Sequence, residues 1–459
     1  PNGKAVVLKS NGQVEVVGPT IASTGTAATF EYANIFDLSA TYDLTANKVV
    51  VFYRDNGNSN SGTASVGTIS GTNISFGTPV VFKSGDTRDI SSCYDSASSK
   101  VVVAFRNDSV NYYGNAIVGT VAGTTISFGT QVVFNSSIAS YISATFDSTS
   151  NKVIIAFQNG SSSNYGSAVV GTVSGTGISF GSSAVFESAN TKNIAIAFDS
   201  STNKVIISYT DDGNTASGTV VIGTLSGTNI SFGTPVVFST NCTPTGIAYD
   251  PTSNKVVIGF RHNGDSSRGK AIVGTVAGTT ISFGTPVVFN TGVTEKLLAT
   301  YSTNAQKVVF SYRDNASGSG RVIAGVVSGT SITFDAYISY SSDVSGNNVA
   351  PIVYNNNSTD LVVAYKDGSD NGTAIVVRII STNLTSTNFV GITSKAISNT
   401  ATGPITLQGG ISTNQSSLTV GSTYYVQANG TVSTVSTSPA VNIGKALNAT
   451  TLKLKGLSV

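Results

Sequence analysis

The chain repeats itself about every 52 residues. A lysine that opens an apolar run recurs as Lys48, Lys100, Lys152, Lys204, Lys255 and Lys307, and Asp360 takes its place in a last, degraded copy. The steps are 52, 52, 52, 51, 52 and 53 residues, which makes seven copies. Repetition at this period limits the chain to architectures in which one small unit is used many times.

The third copy shows what a unit can fold into. It holds four short apolar segments, ISATF, KVIIAF, SAVVGTV and ISFGSSAVF. Polar turns, Asp147 to Lys152 and Ser174 to Gly177, separate the first from the second and the third from the fourth. Short apolar runs bounded by such residues read as strands joined by hairpins. The second segment, as in Val101 to Phe105, is apolar at nearly every position, so both of its faces must be covered. One copy cannot supply both layers. Four-stranded units repeated at this period are the signature of a β-propeller, and seven copies predict seven blades. A β-solenoid is the competing architecture, but its coils are usually far shorter than this repeat.

A ring must join its last blade to its first. Gly25 to Phe30, GTAATF, stands 52 residues before Gly77 to Phe82, GTPVVF, so the chain starts with a fourth strand that lacks its own blade. The seventh copy has the complementary defect: after APIVY, LVVAY and TAIVVRII the expected ISFGT pattern is missing. Residues 21–31 are therefore predicted to complete the seventh blade, which also removes two free sheet edges. The domain reading is an N-terminal hairpin at 1–20 turning at Asn11-Gly12, a propeller at 21–384, and a small β domain at 385–459. The last domain contains an extended pair around Asn429-Gly430, and it is expected to incorporate the N-terminal hairpin.

Composition narrows function more than it defines it. Only 10% of residues are charged, the net charge is +2, and Trp and Met are absent. With no basic block there is no electrostatic reason to expect nucleic-acid binding. No run of about 20 apolar residues suggests a membrane span, and no basic, apolar leader opens the chain. The cysteines, Cys93 and Cys242, sit at non-equivalent places in their copies and are expected to be free thiols. No cofactor or metal is expected. One histidine, His262, would have to carry any triad or histidine metal site alone. The acid that recurs as Asp43, Asp95, Asp147, Asp199 and Asp250 directly precedes a turn, where its plain role is to bond turn backbone.

Binding is better supported than catalysis. In a four-stranded blade the loops between strands two and three, and the connections between blades, share one face. Those loops differ from copy to copy: DNGNSNSGT, NDSVNYYGN, NGSSSNYGS, DDGNTASGT, HNGDSSRGK and DNASGSGR. Tyr112, Tyr113 and Tyr165 are candidates to stack on sugar rings, while His262, Arg268 and Lys270 make one sector cationic. The plain alternative is solvated loops with incidental tyrosines. The second strand also ends in a basic residue in five copies, Arg54, Arg106, Arg261, Arg313 and Lys366, with Gln158 and Thr210 in the other two. This ring pairs either with an anion or acidic glycan, or, as the preferred reading, with the neighbouring Asp55, Asp314 and Asp367 or the loop acids Asp86 and Asp89.

The two ends of the chain add a resemblance. The opening Pro1 to Gly12, PNGKAVVLKSNG, and the closing NFVGITSKAISNTATGPITLQGG, LTVGSTYYVQANGTVST and IGKALNATTLKLKG resemble the flanking segments of tail-fibre and other virion proteins of marine tailed phages of the cyanophage type. The resemblance covers roughly the first 20 and last 75 residues and brings no catalytic motif with it. It implies a multicopy structural protein on a virion surface. Such a protein would contact other virion proteins through the terminal β domain and a host surface glycan or protein through the propeller. A pure decoration or spacer protein and a cellular surface lectin or adhesin are the rival readings.

Overall fold

The computed structural model describes residues 5–8, 14–17, 20–345, 350–358, 360–380, 389–395, 404–427, 430–436 and 441–456. These residues form two compact units, Ile21–Arg378 and a second one made of Pro1–Thr20 with Ile379–Val459. The division falls at Arg378, six residues before the position 384 expected from sequence.

In the larger unit each copy is an antiparallel meander. The first copy runs Ile35–Asp43, Lys48–Asp55 and Ser61–Ser70, and its fourth element is split into Asn73–Phe76 and Val80–Lys83. Both pieces pair with the third strand. The sequence predicted one fourth strand; instead it breaks at Gly77 for a packing reason. A Cβ on Gly77 would lie 1.9 Å from the Thr124 carbonyl oxygen of the next copy. Gly129, Gly181, Gly233 and Gly284 meet Thr176, Thr228, Thr279 and Thr330 in the same way. The recurrent glycine thus lets adjacent meanders touch backbone to backbone. A second difference lies in the blade connections. Val132–Asp147, Ala184–Asp199 and Val287–Ser302 are 16-residue strands that leave one meander and open the next without interruption.

The second strands lie between layers, as their continuous apolar character requires. Phe52, Phe105, Phe157, Phe260 and Phe310 are fully buried. In the propeller the apolar clusters join neighbouring copies: Val50 and Phe52 pack with Val101, Val103 and Phe105, and Val102 and Ala104 pack with Val153, Ile155 and Phe157. Full burial of such side chains is worth roughly 1.5–3 kcal/mol each. A single meander has only half of that cover, which is why the ring and not the copy is the folding unit.

The ring closes through the N-terminus. Ala28–Glu31 pairs with the third strand of the last copy, Gly372–Ile380, with Thr29 opposite Thr373, and Thr20–Thr24 joins the same sheet. The first strands follow one another around the axis, and Ile352–Tyr354 of the last copy contacts Ile35–Asp43 of the first. Val362, Ala364, Ala374 and Val376 share a core with Phe30, Ile35, Val51 and Tyr53. Gly25 meets Thr72 as the other glycines meet their threonines, so the seam is built like the other junctions. This is a β-propeller.

The turns between first and second strands repeat closely. Asp95 Oδ1 accepts from the Ala97 and Ser98 amides at 2.9 and 3.1 Å, and Asp147 and Asp199 accept from their own turn amides in the same way. The residue before the recurrent lysine, Asn47, Ser99, Asn151, Asn203, Asn254 or Gln306, has φ between 52 and 56°. That left-handed turn explains the frequency of asparagine there. Lys100, Lys152 and Lys204 each donate to a threonine of the third strand, at 2.8 to 2.9 Å. In the degraded copy the charges change places: Asp360 accepts from Arg378 Nε at 2.8 Å. Tyrosines tie these turns together across copies. Thr45 Oγ1 lies 2.7 Å from the Tyr94 hydroxyl and Thr252 Oγ1 2.7 Å from that of Tyr301, and across the seam Asn357 Nδ2 donates to the Tyr42 hydroxyl at 3.3 Å.

The described residues of the smaller unit form two sheets. Ala5–Leu8 lies between Val14–Val16 and Phe389–Thr393, so strands from both ends of the chain share a sheet. In the second sheet Thr423–Val426 pairs with Val432–Ser433. The Asn11-Gly12 turn, the Asn429 position and most of 381–389 lie outside the described residues. Ala5, Val7, Ile392, Val426, Ile443 and Leu452 form its core. Cys93 and Cys242 are buried free thiols. Among the described residues no helix is long and apolar enough to cross a membrane.

Candidate functional site

The loops after the second strands of the first five copies share a backbone feature and differ in chemistry. Asp55, Asn159 and Asp211 cap one-turn 3-10 helices, accepting from Asn58, Ser161 and Gly213 amides at 3.1, 3.2 and 2.9 Å. Two consecutive residues with positive φ follow: Ser59 and Asn60, Asn111 and Tyr112, Ser163 and Asn164, Thr215 and Ala216, Ser266 and Ser267. Backbone bonds tie each loop to a blade connection, as from the Asp108 amide to the Asp86 carbonyl at 3.0 Å and from Asn263 to Asn241 at 2.9 Å. In the first five copies the loops therefore vary in side chains around the same pair of left-handed residues, while the sixth and seventh loops have one positive-φ residue each, Gly318 and Asp370.

The predicted residues fall in two sectors of this face. Tyr112 is half exposed at φ 61°, and its ring centre lies 6.0 Å from the Arg106 guanidinium carbon. Tyr113 and Tyr165 open the third strands of the second and third copies, opposite Asn107 and Asn159, and are partly buried. His262, Arg268 and Lys270 belong to the fifth copy. His262 pairs in register with Arg268, while Asp265 bridges to Lys270 at 2.8 Å and Arg268 at 3.4 Å. Burial, then the Lys270 charge, pushes the His262 pKa down. The tyrosines and the cationic group are thus not one site.

The basic ring is largely an internal ion-pair network. Arg54 bridges to Asp86 at 2.9 Å, and Arg106 to Asp89 at 2.7 Å and Asp108 at 2.5 Å. Arg313 bridges to Glu295 at 3.1 Å, and Lys366 to Asp370 at 2.5 Å. Of the partners the sequence suggested, Asp86 and Asp89 pair with the ring, and Asp55, Asp314 and Asp367 do not. Asp55 caps its loop, Asp314 bridges to Arg321 at 2.8 Å, and Asp367 accepts from Ser369 and Asn371 amides. A side chain at a strand end points away from its neighbour in sequence, which leaves the preceding basic residue to other partners.

Sequence reasoning missed a second ring. The first strands of the first, second, third, fourth and sixth copies carry a bulge, where Asp37, Asp89, Tyr141, Asn193 and Lys296 adopt φ of 49 to 55°. Asp37 Oδ1 accepts from the Asp89 amide at 3.3 Å, and Asp89 Oδ1 from the Tyr141 amide at 3.1 Å, so the side chains link blade to blade. Burial and the nearby Asp89 carboxylate push the Asp37 pKa up to about 6, and burial raises that of Asp89. The signal was present as a polar residue six positions before the recurrent acid, inside an apolar segment. On the opposite face, Thr145, Phe146, Ala197, Tyr249, Thr300 and Tyr301 line part of a cavity of about 470 Å³ whose lining contains no Asp, Glu, His, Lys or Arg. Among the described residues no group of three or more His, Cys, Asp or Glu is arranged to hold a metal ion.

No protein-family model and no curated protein matches the chain. Among solved structures it is similar to the BP39L lectin from Burkholderia pseudomallei, at 12% identity over 76% of this chain and 97% of that one, with a TM-score of 0.58. A protein of unknown function from Dyadobacter fermentans matches at 12% identity over 77% and 99%, with a TM-score of 0.48. The SapL1 lectin in complex with alpha methyl fucoside matches at 14% over 68% and 96%, with a TM-score of 0.43. At these identities the first likeness speaks for the fold alone, and the other two are too distant to carry an argument.

Proposed function

We propose that this chain is a non-enzymatic, seven-bladed propeller that binds glycans, displayed in many copies on the surface of a tailed-phage particle. The observation that carries this reading is the single face on which a repeated loop backbone presents unlike side chains. Sequence diversity on a fixed scaffold is how loops are used for recognition. The lectin likeness of the fold supports the same choice of ligand. The axial carboxylates Asp37 and Asp89 are occupied by backbone amides and arginines, which favours a structural role over acid-base chemistry. The smaller unit, with its resemblance to virion proteins, is the part that would join other virion proteins.

A glycan array probed with the full chain tests the reading. Binding is expected, and it should weaken at least tenfold when Tyr112→Asn and Tyr165→Ser are combined. Both replacements occur at equivalent positions in other copies, as Asn60 and Ser61, so the loops keep their shape. A blank array would favour the spacer reading, and release of reducing ends from host polysaccharide would overturn the non-enzymatic one.

A further inference from the structure

Comparing the basic ring blade by blade singles out one member. Carboxylates reach the ring from five places: the blade connection (Asp86 to Arg54), the axial bulge (Asp89 to Arg106), two residues along the chain (Asp108 to Arg106), across the strand pair (Glu295 to Arg313) and four residues along (Asp370 to Lys366). Around Arg261 the first four places hold Val293, Pro244, Asn263 and Thr243. The fifth holds Asp265, already bridged to Lys270 and Arg268. Among the described residues Arg261 has no acidic partner, and its Nε donates to the neutral Asn263 Oδ1 at 2.8 Å.

That contact fixes the side chain without neutralising it. Asn263 Nδ2 donates in turn to Thr243 Oγ1 at 3.2 Å, so a short chain of neutral groups holds the guanidinium in place. Arg261 pairs in register with Gly269 and His262 with Arg268, which puts Arg261 on the opposite side of this strand pair from His262 and Arg268. Lys270, opposite Phe260, shares the side of His262 and Arg268. This end of the blade therefore carries three permanent cations and one carboxylate. Held cations with unused planar donors suit a carboxylate or sulfate, which guanidinium binds through two parallel bonds.

Resting on the glycan-binding reading above, we propose that the fifth blade is an acidic-glycan site anchored by Arg261, taking sugars that carry carboxylate or sulfate groups. Arg268 and Lys270 add attraction at longer range, so binding falls as salt is raised.

The experiment is a titration of the full chain with a uronate oligosaccharide, a sulfated oligosaccharide and a neutral oligosaccharide of equal length, run beside the glycan array. Binding of either acidic probe, at least tenfold tighter than the neutral one and lost at least tenfold in Arg261→Gln, is the expected result. Arg261→Lys should retain part of the affinity, and Lys48→Gln on the other face should retain all of it. Should Arg261→Gln melt below the native chain, the Lys variant and the contrast between acidic and neutral probes decide the matter. Array binding confined to neutral glycans, or unchanged by both Arg261 variants, would overturn the acidic-glycan site and leave the glycan reading standing. A blank array together with no binding of any probe would overturn both.

Discussion

Gly129 and Gly177 stand 48 residues apart and do different jobs. A Cβ on Gly129 would sit 1.9 Å from the Thr176 carbonyl oxygen, whereas one on Gly177 would meet only the Ser174 carbonyl oxygen at 3.6 Å. Gly129→Ala is therefore expected to cost about 1–3 kcal/mol through forced separation of two blades. Gly177→Ala should stay within about 0.5 kcal/mol. Urea unfolding of the two variants checks this, and equal midpoints would contradict the close-approach account. Asp37 supplies a prediction in pH. Its carboxyl pKa is raised to about 6 in the folded chain, so the native state holds a proton that the unfolded state releases near pH 4. Stability contributed there is present at low pH and is lost as pH rises from about 4 to 6. Among the groups facing this carboxyl are Asp89, Arg54, Arg88 and Arg106. Asp37→Asn should flatten that part of the profile, measured as the urea midpoint at several pH values, and an unchanged slope would assign it to other groups.

At the scale of elements the seam is the informative place. Thr20–Thr24 and Ala28–Glu31 belong to the sheet of the last copy, and Phe30 lies in the core shared by first and last blades. Ala5–Leu8, which ends twelve residues before Thr20, belongs to the other unit. Two truncations separate these roles. Removing residues 1–19 should leave the propeller's melting transition in place, while removing 1–31 should lower it by several degrees or abolish it. A propeller indifferent to the second truncation would not depend on the N-terminal strands for closure.

At the scale of the molecule, two units divide the labour of folding. Among the described residues, the fragment 20–380 contains every strand of the ring, including the closing ones, and no strand of the smaller unit's sheets. It is expected to fold alone with a cooperative urea transition at the same midpoint as the ring in the full chain. Aggregation of the fragment would show that the smaller unit is needed for the ring. On the proposed function, the isolated fragment should bind glycan surfaces less tightly than assembled copies do, because many weak sites act together only when they are linked.

Much of this was legible beforehand, because repetition at 52 residues, hairpin turns and doubly apolar second strands are local patterns with few foldable outcomes. The repeat period itself announced the missing blade strand and its replacement from the N-terminus. Three things needed the tertiary structure. The split of the fourth strand depends on a carbonyl from the next copy, 47 residues away in sequence, as Gly77 and Thr124 show. The axial bulges depend on strands meeting around an axis, so a polar residue such as Asn193 in an apolar run had no assigned place until the ring was closed. The partners of the basic ring come from neighbouring strands and connections, which is why Asp86 and Asp89 proved right and Asp55 did not. Local pattern determined the repeated meander and the propeller architecture; which charges end up satisfied, and which one is left open at Arg261, was decided by packing between copies that contacts within a single copy cannot reveal.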